Sequence, residues 1–185
     1  PYTYTTIIPE NINNLYEDIL FLIKMGFSSR INFEFTSSWD DEEIKILIIQ
    51  LKNIADYILK NNLYNRLNLF STYSISDYTN KIGNPNRQFE LNCNAGKRRV
   101  IYTPEEKKYL CHAFVPSVFN NFSKNNNVNI SENTILNPQK CCECNYFYLC
   151  HICVGFSYGY KNSLTWRNES ICNITRGRTF AAAYY

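Results

Sequence analysis

Two CxxC pairs lie within the thirteen residues from Cys141 to Cys153, and only five residues separate the inner cysteines. Cys142 adds a further thiol beside Cys141. An apolar core has no use for cysteine at that density. Thiolates are soft ligands, suited to zinc, copper(I) and the iron of iron–sulfur clusters. A CxxC pair lets two sulfurs approach one metal centre from a single tight turn. The C-terminal half is therefore expected to fold around inorganic centres.

Cys141, Cys144, Cys150 and Cys153 could by themselves make a four-thiolate zinc site. The short loop between the two pairs is tight for such a site. Zinc would also leave Cys93, Cys111 and Cys172 without a use. Disulfides are the other alternative, and they need an oxidising compartment. The chain starts at Pro1 with neither Met nor a secretory apolar segment, which reads as a piece of a longer, cytoplasmic protein.

The 185 residues are 45% hydrophobic, enough to bury a core. The net charge is only +3, and no block of basic residues occurs. Nucleic acid is therefore not an expected partner. No apolar run is long enough to span a bilayer, so a membrane is not expected either.

In chain order, Tyr2 to Ile8 reads as a strand. Asn11 to Met25 has helical apolar spacing, with Gly26 as its stop. Arg30 to Phe35 alternates, with Ile31, Phe33 and Phe35 on one face and Asn32 and Glu34 on the other. Asp40 and Glu43 have the spacing of a capping box, opening a helix that runs to about Asn61. Arg66 to Tyr73 is a third strand candidate. Strands alternating with helices predict a parallel α/β unit. That length cannot close a barrel alone, so the fold class expected is α/β, the C-terminal part of a partial (β/α) barrel. Turn residues from Ser74 to Gln88 place a boundary there, dividing the chain into 1–88 and 89–185. In the second part, Arg98 to Tyr102 and Lys108 to His112 predict a β-hairpin turning at Thr103–Lys107. The tail from Thr175 to Tyr185 reads as a terminal helix.

The ordered cysteines Cys93, Cys111, Cys141, Cys144, Cys150, Cys153 and Cys172 resemble those of the SPASM domain. This is the auxiliary-cluster module at the C-terminus of many radical S-adenosylmethionine (radical SAM) enzymes. The likeness runs from Leu91 to Arg178 and includes Cys93-Asn94-Ala95-Gly96 and Tyr109-Leu110-Cys111-His112. The upstream α/β piece is similar to the end of the partial barrel that precedes SPASM. The stretch from Arg30 to Thr36 and the tail after Cys172 are most similar to maturases of ribosomally made peptides. Two features depart from the pattern. Glu105-Glu106-Lys107 fills the hairpin turn where a glycine is usual, and two residues rather than three separate Cys150 from Cys153.

The resemblance implies an auxiliary 4Fe-4S cluster on Cys141, Cys144, Cys150 and Cys172. It implies a second on Cys93, Cys111 and Cys153, with one iron open or held by another group. It implies an oxidoreductase that cleaves S-adenosyl-L-methionine to a radical and abstracts hydrogen from a precursor peptide, with a reductase or other electron donor as partner. The CxxxCxxC that holds the radical-generating cluster is absent, so this chain is not expected to be active alone. The competing reading is a non-catalytic zinc- or iron–sulfur-binding module for electron transfer or partner binding. His112 and His151 are expected to pack rather than ligate, and Tyr146-Phe147-Tyr148 to shield the clusters.

Overall fold

The computed structural model describes residues 1–34, 36–63, 95, 100–115, 138–150 and 153–184. The chain divides into two units. One gathers Pro1–Ile82, Tyr148–Cys150 and Glu169–Tyr185; the other gathers Gly83–Phe147 and His151–Asn168.

The first unit is built on a strand–helix–strand crossover. Strand β1 (Tyr2–Ile7) pairs in parallel with β2 (Ser28–Phe33), in the register Tyr2↔Ser28 to Ile7↔Phe33. Between them run a 3-10 turn at Pro9–Asn14 and helix α1 (Leu15–Lys24). Leu15, Ile19, Leu20 and Ile23 form the buried stripe of α1. Gly26 stops the helix with φ +86°, a left-handed conformation open to glycine without strain. Its N–H donates to the Ile23 carbonyl, and that of Phe27 to Leu22.

Helix α2 (Asp41–Lys60) starts at the expected capping box. The Asp40 carboxylate accepts from the Glu43 N–H at 2.8 Å, and the Glu43 carboxylate accepts from the Asp40 N–H at 2.8 Å. Leu47, Leu51, Ile54, Ala55 and Ile58 recur at helical spacing and are buried. Burying each of the larger four stabilises the fold by about 1.5–3 kcal/mol. They join Ile7, Ile19, Ile31, Phe33 and Trp39 in one core. The C-terminal helix, here α5 (Glu169–Tyr184), adds Ile174 and Ala181 to it. Gly177 lets α5 approach α2 closely, since a Cβ there would lie 3.3 Å from Ile48 Cγ1.

The second unit has a smaller core of Ala95, Cys111, Ala113, Phe114 and Val154. Strands β3 (Ile101–Tyr102) and β4 (Lys108–Tyr109) pair antiparallel, a shorter hairpin than the sequence suggests. Helix α3 (Gln139–Cys142) is a single turn, and α4 (Val154–Lys161) ends at Asn162 in the left-handed region.

Among the described residues the expected arc of a (β/α) barrel does not form. Among the described residues β1 pairs with β2 alone and β3 with β4 alone, giving two open two-stranded sheets. A barrel arc needs strands hydrogen-bonded on both sides, and each described strand has a neighbour on one side only. The described residues form a mixed α/β fold with small open sheets rather than a barrel. The anticipated strand at 66–73 lies outside the described residues. Among the described residues no helix is long and apolar enough to cross a membrane.

Candidate functional site

The described cysteines lie on several local elements. Cys111 is buried in the core of the second unit, and Cys153 packs against that same core. The Cys153 carbonyl accepts from the N–H and the hydroxyl of Ser157, both at 3.0 Å, which ties down the first turn of α4. Cys141 and Cys142 lie in α3, where their N–H groups donate to the Pro138 carbonyl at 2.8 and 3.3 Å. Cys144 follows, with its N–H on the Cys141 carbonyl at 3.2 Å and its sulfur accepting from the Tyr146 N–H at 3.4 Å. In the first unit, the Cys150 sulfur accepts from the Thr175 hydroxyl at 3.6 Å, and Cys172 is half-buried on α5. Cys93 and His151 lie outside the described residues. His112 is exposed, Phe147 is buried and Tyr146 is partly open to solvent.

A cluster site needs several thiolates converging on one point. Among the described residues no three His, Cys, Asp or Glu side chains group in that way. Among the described residues the donor groups therefore do not assemble the 4Fe-4S sites that the resemblance implies; the set Cys93, Cys111 and Cys153 includes a residue outside them.

The other concentration of functional side chains is on the β1–β2 sheet. Alternation turns Thr5, Ile7, Ser29, Ile31 and Phe33 towards the helices. Tyr2, Tyr4, Thr6, Arg30 and Asn32 point the other way and are exposed. Tyr2 is 67% and Tyr4 66% exposed. The Arg30 guanidinium carbon sits 5.3 Å from the Tyr2 ring centre and 5.8 Å from that of Tyr4, and Arg30 Nη1 donates to Tyr4 Oη at 3.3 Å. Among the described residues Arg30 has no carboxylate partner.

Glu34, the next outward position after Asn32, is tied into its own loop. One carboxylate oxygen accepts from the Thr36 N–H at 2.9 Å and from the Thr36 hydroxyl. The other accepts from the Ser37 N–H and from the Ser37 hydroxyl at 2.5 Å. Burial opposes its charge, but the bonds from Ser37 and Thr36 outweigh that and hold its pKa below the ordinary 4.5. The buried Arg178 guanidinium lies 4.9 Å from the Phe33 ring centre, a contact that fastens α5 to the end of β2.

Of the polar pair expected on this face, Asn32 is exposed and Glu34 is committed to its loop. Tyr2, Tyr4 and Arg30 went unmarked in the sequence, although their alternation with buried positions was the signal that could have found them. No protein-family model and no curated protein matches this chain. With no such match and no convergent donor group among the described residues, assignment to the radical SAM and SPASM families does not stand. The expected maturase activity, the oxidoreductase class, the metal-binding module and the auxiliary clusters are set aside with it.

Proposed function

We propose that this protein is a binding module that takes an extended peptide on the outward face of its β1–β2 sheet. One observation carries the reading: two tyrosines, 67% and 66% exposed, stand side by side on a parallel sheet. Parallel sheets are ordinarily covered on both faces. Tyrosine and arginine are also the residue types that dominate binding energy at interfaces, because they offer large, stiff contact area with a polar tip. A strand-like peptide presents alternate side chains to such a face at a spacing of about 7 Å. We further infer a cytoplasmic setting, supported by the seven described cysteines, none of which forms a disulfide.

The test is fluorescence anisotropy with labelled extended peptides and the full chain. The Tyr2→Ala, Tyr4→Ala double variant is expected to weaken binding at least about tenfold, the loss that follows from removing 1.4 kcal/mol of contact. Wild-type protein that binds no extended peptide, or a double variant that binds as tightly, would sink the reading.

A further inference from the structure

Among the described residues, the outward face of the β1–β2 sheet carries one charge and no carboxylate to balance it. Its positions are Tyr2, Tyr4 and Thr6 on β1 and Ser28, Arg30 and Asn32 on β2, with no carboxylate among them. Glu34, at the end of the row, spends both carboxylate oxygens on Thr36 and Ser37. Arg30 is left facing solvent, and it is also held in place. Its direct register partner is Tyr4, and Tyr2 stands opposite the neighbouring outward residue Ser28. Both rings lie within cation–π range of the guanidinium, and the Tyr4 hydroxyl takes one of its hydrogen bonds.

A guanidinium has five N–H donors in a rigid fork, and carboxylates match that fork with two parallel hydrogen bonds. A long side chain fixed before its ligand arrives loses less entropy on binding. We infer that the peptide taken by this face is acidic: an Asp or Glu side chain docks on the Arg30 guanidinium between Tyr2 and Tyr4, and an apolar side chain two residues away lies against a tyrosine ring. The inference rests on the reading of this face as a peptide-binding surface. It adds what that reading leaves open, the chemistry of the partner.

Three labelled peptides of equal length, alternating Leu with Glu, Gln or Lys, test it by anisotropy on the full chain. The Glu peptide is expected to bind about tenfold tighter than the Gln peptide, as one charge-assisted pair allows, and the Lys peptide weakest. Arg30→Gln should erase the Glu preference, so that the Glu and Gln peptides bind the variant with equal affinity. Arg30→Lys should restore part of the preference, since an ammonium cannot bind in two-pronged fashion. Arg30 is exposed, and far-ultraviolet circular dichroism checks that each variant is folded.

Equal binding of the Glu and Gln peptides, or a preference that survives Arg30→Gln, overturns acidic recognition and leaves peptide binding standing. Failure of all three peptides overturns both. A phosphoserine peptide that outcompetes the Glu peptide reassigns the oxyanion to phosphate and overturns the carboxylate assignment. Self-association that Arg30→Gln abolishes, with no peptide bound, gives the face to a second copy of the chain instead.

Discussion

A Cβ built on Gly155 would lie 2.7 Å from the Cβ of Ala113 and 3.3 Å from the Phe114 ring. Glycine at 155 is thus what lets α4 rest on the 3-10 turn His112–Phe114. Neither neighbour is the loose end of a long side chain, so an added methyl must push the two elements apart. Gly155→Ala should cost about 1–3 kcal/mol, as overpacking does. The better helix propensity of alanine offsets at most about 1 kcal/mol of that. Hydrogen exchange of the α4 amides measures it, and faster exchange there than in wild type is the expected outcome. Unchanged or slower exchange would mean that the contact is not tight.

The Glu34 carboxylate predicts an acid-sensitive loop. Its pKa is lower when folded than the ordinary 4.5, because the bonds from Ser37 and Thr36 outweigh the opposing effect of burial. A group of this kind contributes stability that is fully present above its unfolded pKa. That stability is lost as pH falls through the folded value, where the unfolded state binds the proton more readily. Melting temperature should therefore fall below about pH 4.5 more steeply in wild type than in Glu34→Gln, which has no carboxylate to protonate. Parallel melting curves for the two proteins across that range would show that Glu34 is not the group responsible.

These two positions mark what can and cannot be read from sequence. Local signals worked. Asp40 and Glu43 announced the start of α2, Gly26 announced the end of α1, a run rich in Thr, Tyr and Ile placed β1, and alternation placed β2. The first turns of α5 were missed because Ile171, Asn173 and Thr175 are weak helix formers; tertiary packing on α2 holds them. Helix α4 was missed because Gly155 and Gly159 weaken its helical signal, and the reason for Gly155 lies in another element. The cysteines misled for a related reason. Spacing states what a ligand set could be, but not where the chain carries each sulfur. Cys111 went into a core with Ala113 and Phe114, and Cys150 went to Thr175. Arg30 was missed because alternation assigns a face without saying whether anything covers it.

The capping box at Asp40 gives a third prediction. Asp40→Ala removes the acceptor for the Glu43 N–H and should destabilise α2 by about 0.5–2 kcal/mol. Glu43→Ala removes the reciprocal bond to the Asp40 N–H. Because the bonds form one unit, the double variant should lose less than the two single losses combined. Urea unfolding of the four proteins gives the coupling, and strict additivity would mean that the two bonds act independently.

The last prediction concerns a hydrogen bond across the first unit. The Trp39 N–H donates to the Ser170 hydroxyl at 2.8 Å, joining residues 131 positions apart, both buried. It ties the loop before α2 to the first turn of α5. Ser170→Ala leaves the N–H buried without that acceptor, which should cost about 1–3 kcal/mol. Ser170→Thr keeps a hydroxyl at the same place and should recover most of the loss unless its extra methyl is too large. Trp39 is 4% exposed, so its fluorescence, read in a Trp166→Phe background, reports the unfolding of this region. The midpoint in urea should fall for Ser170→Ala and lie closer to wild type for Ser170→Thr. An Ala variant as stable as wild type would show that the Trp39 N–H finds another acceptor and that the long-range tie is not what holds α5 to the loop.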